Sequence, residues 1–247
     1  MTKIGIFDSG IGGLSILKEV HLLDRALDIY YVADSINNPY GDKQREFIVE
    51  RSVEITSELI SEGCELIVLA CNTATAWAID ELRAKFPQTK FVGVEPYINV
   101  INKRDDLKDK KGLILATPRT GESKRFKELK ERLDPDNTLD IFLPARLAQT
   151  VETHFFNQDL LKKSVDVEVE NYPSNYDFYI LGCTHYPLIA QYLKDNLNGE
   201  MISPCPMVAD RINSLIQHEA GEKRDFFFFK QTGRSTTWER LKYSEIF

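Results

Sequence analysis

Two short stretches carry residue types that could do acid–base chemistry at carbon. The first is Ile67-Val68-Leu69-Ala70-Cys71-Asn72-Thr73-Ala74, and the second is Tyr179-Ile180-Leu181-Gly182-Cys183-Thr184-His185-Tyr186. Each is an apolar run that ends in a small residue, then a cysteine, then polar residues. A thiol has an unperturbed pKa of roughly 8.5, close enough to neutrality for modest tuning to make it a base or an acid. One thiol on each side of a carbon could remove a proton from one face and return one to the other.

An Ile-, Val- and Leu-rich run of this length reads as a buried parallel strand. The cysteines then sit at strand carboxyl ends, where open α/β sheets bind ligands. After Cys71 a helix is expected from Ala74 to Phe86, closed by Pro87, so the positive end of its dipole would favour thiolate at Cys71. Cys64 and Cys205 lack this setting and read as structural. With no CxxC pair and only 4 His residues, a zinc site is not expected.

The elements that would position these thiols follow in order. Ile4-Gly5-Ile6-Phe7 is a first strand, followed by the glycine-rich turn Asp8-Ser9-Gly10-Ile11-Gly12-Gly13 and a helix from Leu14. Such a turn can cradle an anion on backbone N–H groups or simply pack strand on helix. Its spacing is not GxGxxG, and no GK[ST] follows, so a nucleotide-binding module is a weak alternative. A second strand spans Asp28 to Asp34. The loop Asn37-Asn38-Pro39-Tyr40-Gly41-Asp42-Lys43 is either an ordinary turn or a tyrosine presented to a ligand by its hydroxyl or backbone. An amphipathic helix is expected from Arg45 to Glu62, capped by Gly63, and a fourth strand from Phe91 to Pro96.

A helix-like region from Ile98 and a charged surface connection up to Lys111 mark a junction. The pattern then restarts: strand Gly112–Thr117, turn Pro118–Ser123, helix Lys124–Leu133, strand Leu139–Pro144 and a helical stretch from Arg146 to Lys163 that carries Glu152. The interval from Asp8 to Cys71 nearly equals that from Thr117 to Cys183, which points to an internal duplication. Helices are expected at Ala190–Leu197 and Met207–His218, a buried strand at Asp225–Lys230 and a terminal helix at Trp238–Phe247.

Size and composition agree with two α/β units: 247 residues, 43% hydrophobic and 28% charged. The net charge of −7 argues against a general nucleic-acid surface. No apolar stretch approaches membrane-span length, and Met1-Thr2-Lys3-Ile4-Gly5 starts directly on a strand-like pattern, so a cytoplasmic protein is expected.

Five segments together resemble the signature of the glutamate racemases, cofactor-independent members of the aspartate/glutamate racemase family. They are Ile6-Phe7-Asp8-Ser9-Gly10-Ile11-Gly12-Gly13-Leu14-Ser15, Pro39-Tyr40-Gly41, Ala70-Cys71-Asn72-Thr73-Ala74, Val92-Gly93-Val94-Glu95-Pro96 and Leu181-Gly182-Cys183-Thr184-His185-Tyr186-Pro187-Leu188. They occur in the family's order and span the chain from residue 4 to about 190. The resemblance implies two doubly wound, pseudo-symmetric, flavodoxin-like domains facing each other across a cleft. The first would be 1–96 plus 205–247 with Cys71, and the second 97–204 with Cys183.

The resemblance further implies a racemase without metal or other cofactor, acting on the small molecule glutamate and forming homodimers. Cys71 and Cys183 would be the two proton-transfer groups, with Asp8 beside Cys71 and His185 beside Cys183. Substrate contacts would come from Asp8, Ser9, Tyr40, Gly41, Asn72, Thr73, Thr117, Thr120, Thr184 and His185. Glu152 matches an acidic family position and either assists or is a helix surface charge. Four features depart from the family pattern: no Cys-Pro precedes Glu152, Gly121-Glu122 stands between Thr120 and Ser123, the chain is slightly short, and the stretch beyond Phe226 matches weakly. Alternatives are an aspartate or broad-specificity acidic amino-acid racemase, and a non-catalytic binding relative.

Overall fold

The computed structural model describes residues 2–216 and 221–247. The chain forms two compact units, Met1–Val94 with Cys205–Phe247, and Glu95–Pro204.

In the first unit the elements are β1 (Thr2–Asp8), α1 (Leu14–Leu22), β2 (Leu27–Ala33), α2 (Arg45–Ser61), β3 (Leu66–Leu69), α3 (Asn72–Lys85) and β4 (Lys90–Gly93). The second unit holds β5 (Gly112–Ala116), α4 (Pro118–Glu122), α5 (Lys124–Leu133), β6 (Leu139–Phe142), α6 (Leu147–His154), α7 (Gln158–Val169), β7 (Phe178–Gly182), α8 (Ala190–Leu197) and β8 (Glu200–Ile202). The chain then returns to the first unit with α9 (Cys205–Leu215), β9 (Phe226–Gln231) and β10 (Glu239–Lys242).

The first sheet has the order β10-β9-β2-β1-β3-β4 and is parallel except for the β9–β10 hairpin. The second is β6-β5-β7-β8 and wholly parallel. Each unit therefore repeats the same doubly wound order around its own first strand, as the α/β reading expected. In each, a cysteine follows the third strand, beside the reversal of strand order where such sheets bind ligands.

The central strands are buried on both faces, so successive side chains pack against helices on opposite sides of the sheet. Phe7, Val32, Ile67 and Leu69 pack with Ile48, Ile55 and Leu59 of α2 and with Ala78, Ile79 and Leu82 of α3. In the second unit Ile114, Phe178 and Ile180 pack with Phe126 and Leu129 of α5. The buried face of α2 also takes in Ser52 and Thr56, polar positions within its apolar periodicity.

Several expectations need correction. The stretch from Trp238 is not a helix. Glu239–Lys242 pairs antiparallel with Phe226–Phe229, and only a 3₁₀ turn at Tyr243–Glu245 follows. The aromatic strand overrides local preference: Trp238 meets Tyr30 edge-on, and the Arg240 guanidinium lies 3.5 Å from the Phe226 ring centroid. Ile98–Lys111 forms two short 3₁₀ turns, because Ile98, Val100 and Leu107 enter the core singly and the charged run offers no continuous apolar face.

The expected helix from Arg146 to Lys163 breaks at Phe155–Asn157, where the Asn157 side chain caps α7 by accepting from the Leu160 N–H. Pro118–Glu122 is a short helix and not a turn, with Pro118 pre-set for its first position. Cys205 opens α9, and of the helix expected up to His218, Gln217 and His218 lie outside the described residues. Strand β8, which was not expected, has only three residues, and pairing with β7 defines it.

Candidate active site

Strand β3 delivers Cys71 directly into α3. Cys71 is extended (φ −131°, ψ 120°) and is the N-cap residue; its Sγ accepts from the Ala74 N–H at 3.4 Å. Small and polar residues at 70, 72 and 73 let the helix begin at once, earlier than the sequence pattern suggested. A thiolate here receives a backbone N–H and the positive end of the α3 dipole. Cys71 Sγ lies 3.7 Å from Ser9 Oγ.

Asp8 ends the adjacent strand β1 and is fully buried, its Oδ2 accepting the Gly10 N–H at 2.9 Å. The glycine-rich turn is tight. A Cβ at Gly13 would come within 2.7 Å of Tyr31 Oη and 2.8 Å of Ala70 Cβ, so packing alone demands glycine there. Asn72 and Thr73 occupy the first turn of α3, both buried. Cys64 provides a contrast: burial pushes its thiol up to about 12, which leaves it an inert core residue.

Tyr40 is buried, and its hydroxyl donates to Asp34 Oδ2 at 2.7 Å. Burial and the Asp34 carboxylate hold the Tyr40 phenol well above its ordinary range, so it stays protonated. Gly41 follows in the same 3₁₀ turn, Tyr40–Asp42.

In the second unit β7 delivers Cys183. Gly182 is required by close approach, since a Cβ there would lie 2.8 Å from the Leu115 carbonyl oxygen. His185 Nδ1 lies 3.7 Å from Cys183 Sγ, and His185 Nε2 lies 2.8 Å from Glu152 Oε2. The two side chains of that second pair are 5% and 11% exposed. A hydrogen bond from Nε2–H to Glu152 leaves Nδ1 as the acceptor facing the thiol, and the carboxylate favours the imidazolium that would form. Glu152 is therefore joined to the thiol's neighbour and is not a surface charge.

Helix α6, which carries Glu152, is tied to α7 by Thr150 Oγ1 donating to Glu168 at 2.6 Å. Glu168 also accepts the Tyr172 hydroxyl at 2.9 Å. Thr117 caps α4, its Oγ1 accepting the Thr120 N–H at 3.4 Å and donating to Thr120 Oγ1 at 3.0 Å. Thr120 and Thr184 are buried.

The expected residues thus gather within each unit. Asp8, Ser9, Cys71, Asn72 and Thr73 lie at the ends of β1 and β3, with Tyr40 and Gly41 in a loop after β2. Thr117, Thr120, Cys183, Thr184 and His185 lie at the ends of β5 and β7, with Glu152 on α6. Among the described residues, no three His, Cys, Asp or Glu side chains gather as a metal ion would require, and no helix is long and apolar enough to cross a membrane. Sequence reasoning missed Asp34, whose carboxylate anchors Tyr40. Nothing local marked it: Asp34 stands one residue past the partner of Asp8 in the β1–β2 register, and its donors Arg51 and Thr232 are distant in sequence.

Residues 25–212 match the profile of the family described as Asp/Glu/Hydantoin racemase. The chain belongs to this racemase family. It is 32% identical to the glutamate racemase of Aquifex aeolicus over 243 residues, covering 97% of this chain and 92% of that one. It is 35% identical to the glutamate racemase of Campylobacter curvus, covering 92% of this chain and 89% of the relative. Its fold is similar to that of Escherichia coli glutamate racemase, solved in complex with L-glutamate and the activator UDP-MurNAc-Ala. That match has a TM-score of 0.81 and 28% identity, and covers 95% of this chain and 90% of the other.

Proposed function

We propose that this racemase interconverts L- and D-glutamate by two-base proton transfer at the α-carbon. The observation that carries the proposal is the equivalence of Cys71 and Cys183. Each follows the third strand of its unit, and each has a polar partner within 3.7 Å: Ser9 Oγ for Cys71 and His185 Nδ1 for Cys183.

In the forward step one thiolate takes the α-proton, the C–H electron pair stays on carbon, and the other thiol donates its proton to the opposite face. The protonation states of the two thiols exchange in each turnover, so the reverse reaction starts from the product state. The α-carbon of an amino acid is a poor acid. Alignment of base and substrate can lower such a barrier by up to about 11 kcal/mol, and exclusion of water strengthens the electrostatics around the carbanion. Hydroxyl and amide groups of Ser9, Asn72, Thr73, Thr117, Thr120 and Thr184 suit the holding of two carboxylates without a large fixed positive charge. Asp8 is the partner proposed for Cys71, and His185 with Glu152 for Cys183. The reaction as proposed uses only the chain's own groups.

Within this reading the domains are 1–96 with 205–247 and 97–204, the enzyme is a cytoplasmic homodimer, and its D-glutamate supplies peptidoglycan synthesis. The test is circular dichroism of D-glutamate and of D-aspartate incubated with reduced protein. Decay of the glutamate signal to zero is expected. Decay for aspartate alone would move the substrate assignment, and a stable signal for both would overturn the reading.

A further inference from the structure

Asp34 lies just past β2, is fully buried, and accepts hydrogen bonds from four side chains. Tyr40 Oη donates to it at 2.7 Å, Arg51 Nε and Nη2 at 3.0 and 2.9 Å, Asn37 Nδ2 at 3.0 Å and Thr232 Oγ1 at 2.9 Å. These donors come from the loop itself, from α2 and from the segment after β9. That last segment is bound a second time: the Ile36 N–H donates to Thr232 Oγ1 at 3.2 Å, and Gln231 Nε2 donates to Ser35 Oγ at 2.9 Å. Burial pushes the Asp34 carboxyl upward, but the hydrogen bonds from Arg51 and Tyr40 outweigh it and hold the group below the usual carboxylate range.

The Tyr40 hydroxyl proton is committed inward, so Tyr40 does not offer it to a ligand carboxylate. What the arrangement fixes is the backbone course of Pro39-Tyr40-Gly41. We propose that Asp34, Arg51 and Thr232 are positioning residues for amino-acid binding, acting through the Tyr40 hydroxyl on this loop, so that they set substrate affinity and leave proton transfer to the thiols. This rests on the racemase reading of the site. It also gives the C-terminal segment a role in a loop formed by residues 35–43.

The experiment uses the full chain with Arg51→Met, Thr232→Val, Tyr40→Phe and the Tyr40→Phe/Arg51→Met double variant. Arg51→Met is expected to raise KM for glutamate about tenfold with kcat changed less than about threefold, the pattern of lost uniform binding. Thr232→Val, a milder change that keeps the charge pair, is expected to raise KM about threefold. If Arg51 acts through Tyr40, the double variant will show a KM no higher than the worse single variant. Additive effects, or a fall in kcat at constant KM, would overturn the proposal. Hydrogen–deuterium exchange of residues 35–43 gives a readout free of turnover: exchange should accelerate in Arg51→Met and Thr232→Val, and unchanged exchange would also overturn it. A wild-type protein without glutamate turnover would sink the racemase reading, while the exchange data would still decide whether the anchor holds the loop.

Discussion

His185 stands between a thiol and a carboxylate: its Nδ1 is 3.7 Å from Cys183 Sγ and its Nε2 is 2.8 Å from Glu152 Oε2. The ring can take a proton from sulfur at one nitrogen while the other is held by a buried acceptor. Cys71 instead caps a helix, its Sγ accepting the Ala74 N–H at 3.4 Å, and lies 3.7 Å from Ser9 Oγ. Two chemically similar groups are thus supported by different physics, and the two should respond differently to substitution.

Glu152→Gln keeps a hydrogen-bond acceptor for Nε2–H but removes the charge that favours imidazolium. We expect kcat to fall about tenfold, equivalent to about 1.4 kcal/mol of barrier. The loss should be larger in the direction in which Cys183 begins as the base. Initial rates from L- and from D-glutamate check this, and equal rates to wild type in both directions would count against it.

Cys71→Ser and Cys183→Ser should each lower racemisation by about 10²–10⁴-fold or more, the usual scale of a lost acid–base group. Each variant should still exchange the α-proton of one enantiomer with solvent deuterium, and of a different enantiomer in the two cases. NMR of the α-proton in D₂O reads this out. Cys71→Ala should additionally lose about 1 kcal/mol of stability because the Ala74 N–H loses its cap, a loss that serine avoids.

Gly182→Ala should reduce both stability and activity. The added methyl would meet the Leu115 carbonyl oxygen at 2.8 Å, and backbone cannot yield as a flexible side chain can. A cost of about 1–3 kcal/mol is expected in urea unfolding. Activity should fall further than stability alone explains, because the displaced residue precedes Cys183.

Asp34 gives the fold a definite pH dependence. Its folded-state pKa is lowered, so its stabilising contribution is present above the unfolded carboxylate pKa of about 3.9 and is lost as pH falls towards the lower folded value. Removing the guanidinium in Arg51→Met leaves a buried carboxylate without its charge partner, at a cost of about 3 kcal/mol near neutrality. That cost should shrink towards about pH 4, where the carboxyl can protonate. Urea unfolding of both proteins across this range checks the trend; a difference constant with pH would contradict it.

The two cysteine strands were legible because buried parallel strands are nearly continuous apolar runs, and the duplication was legible because the same order of features recurs. Glu152 was ambiguous, since its helix position alone does not reveal that His185 lies 2.8 Å away. Asp34 was invisible for the same reason: its partners Arg51 and Thr232 are distant in sequence. The terminal segment misled because Trp238–Phe247 has no turn signal, and its strand is stabilised across the hairpin by Phe226–Phe229. Local pattern reveals elements that bury their own face, but not those defined by a remote partner.

The return of the chain to the first unit has a consequence for synthesis on the ribosome. All of Glu95–Pro204 has emerged before Phe226–Gln231 exists to pair with β2. The later-begun unit can therefore close first, while the unit begun first waits with an open sheet edge. Unpaired edges of nascent chains invite misassembly, and here the exposure lasts through the translation of more than a hundred residues between β4 and β9.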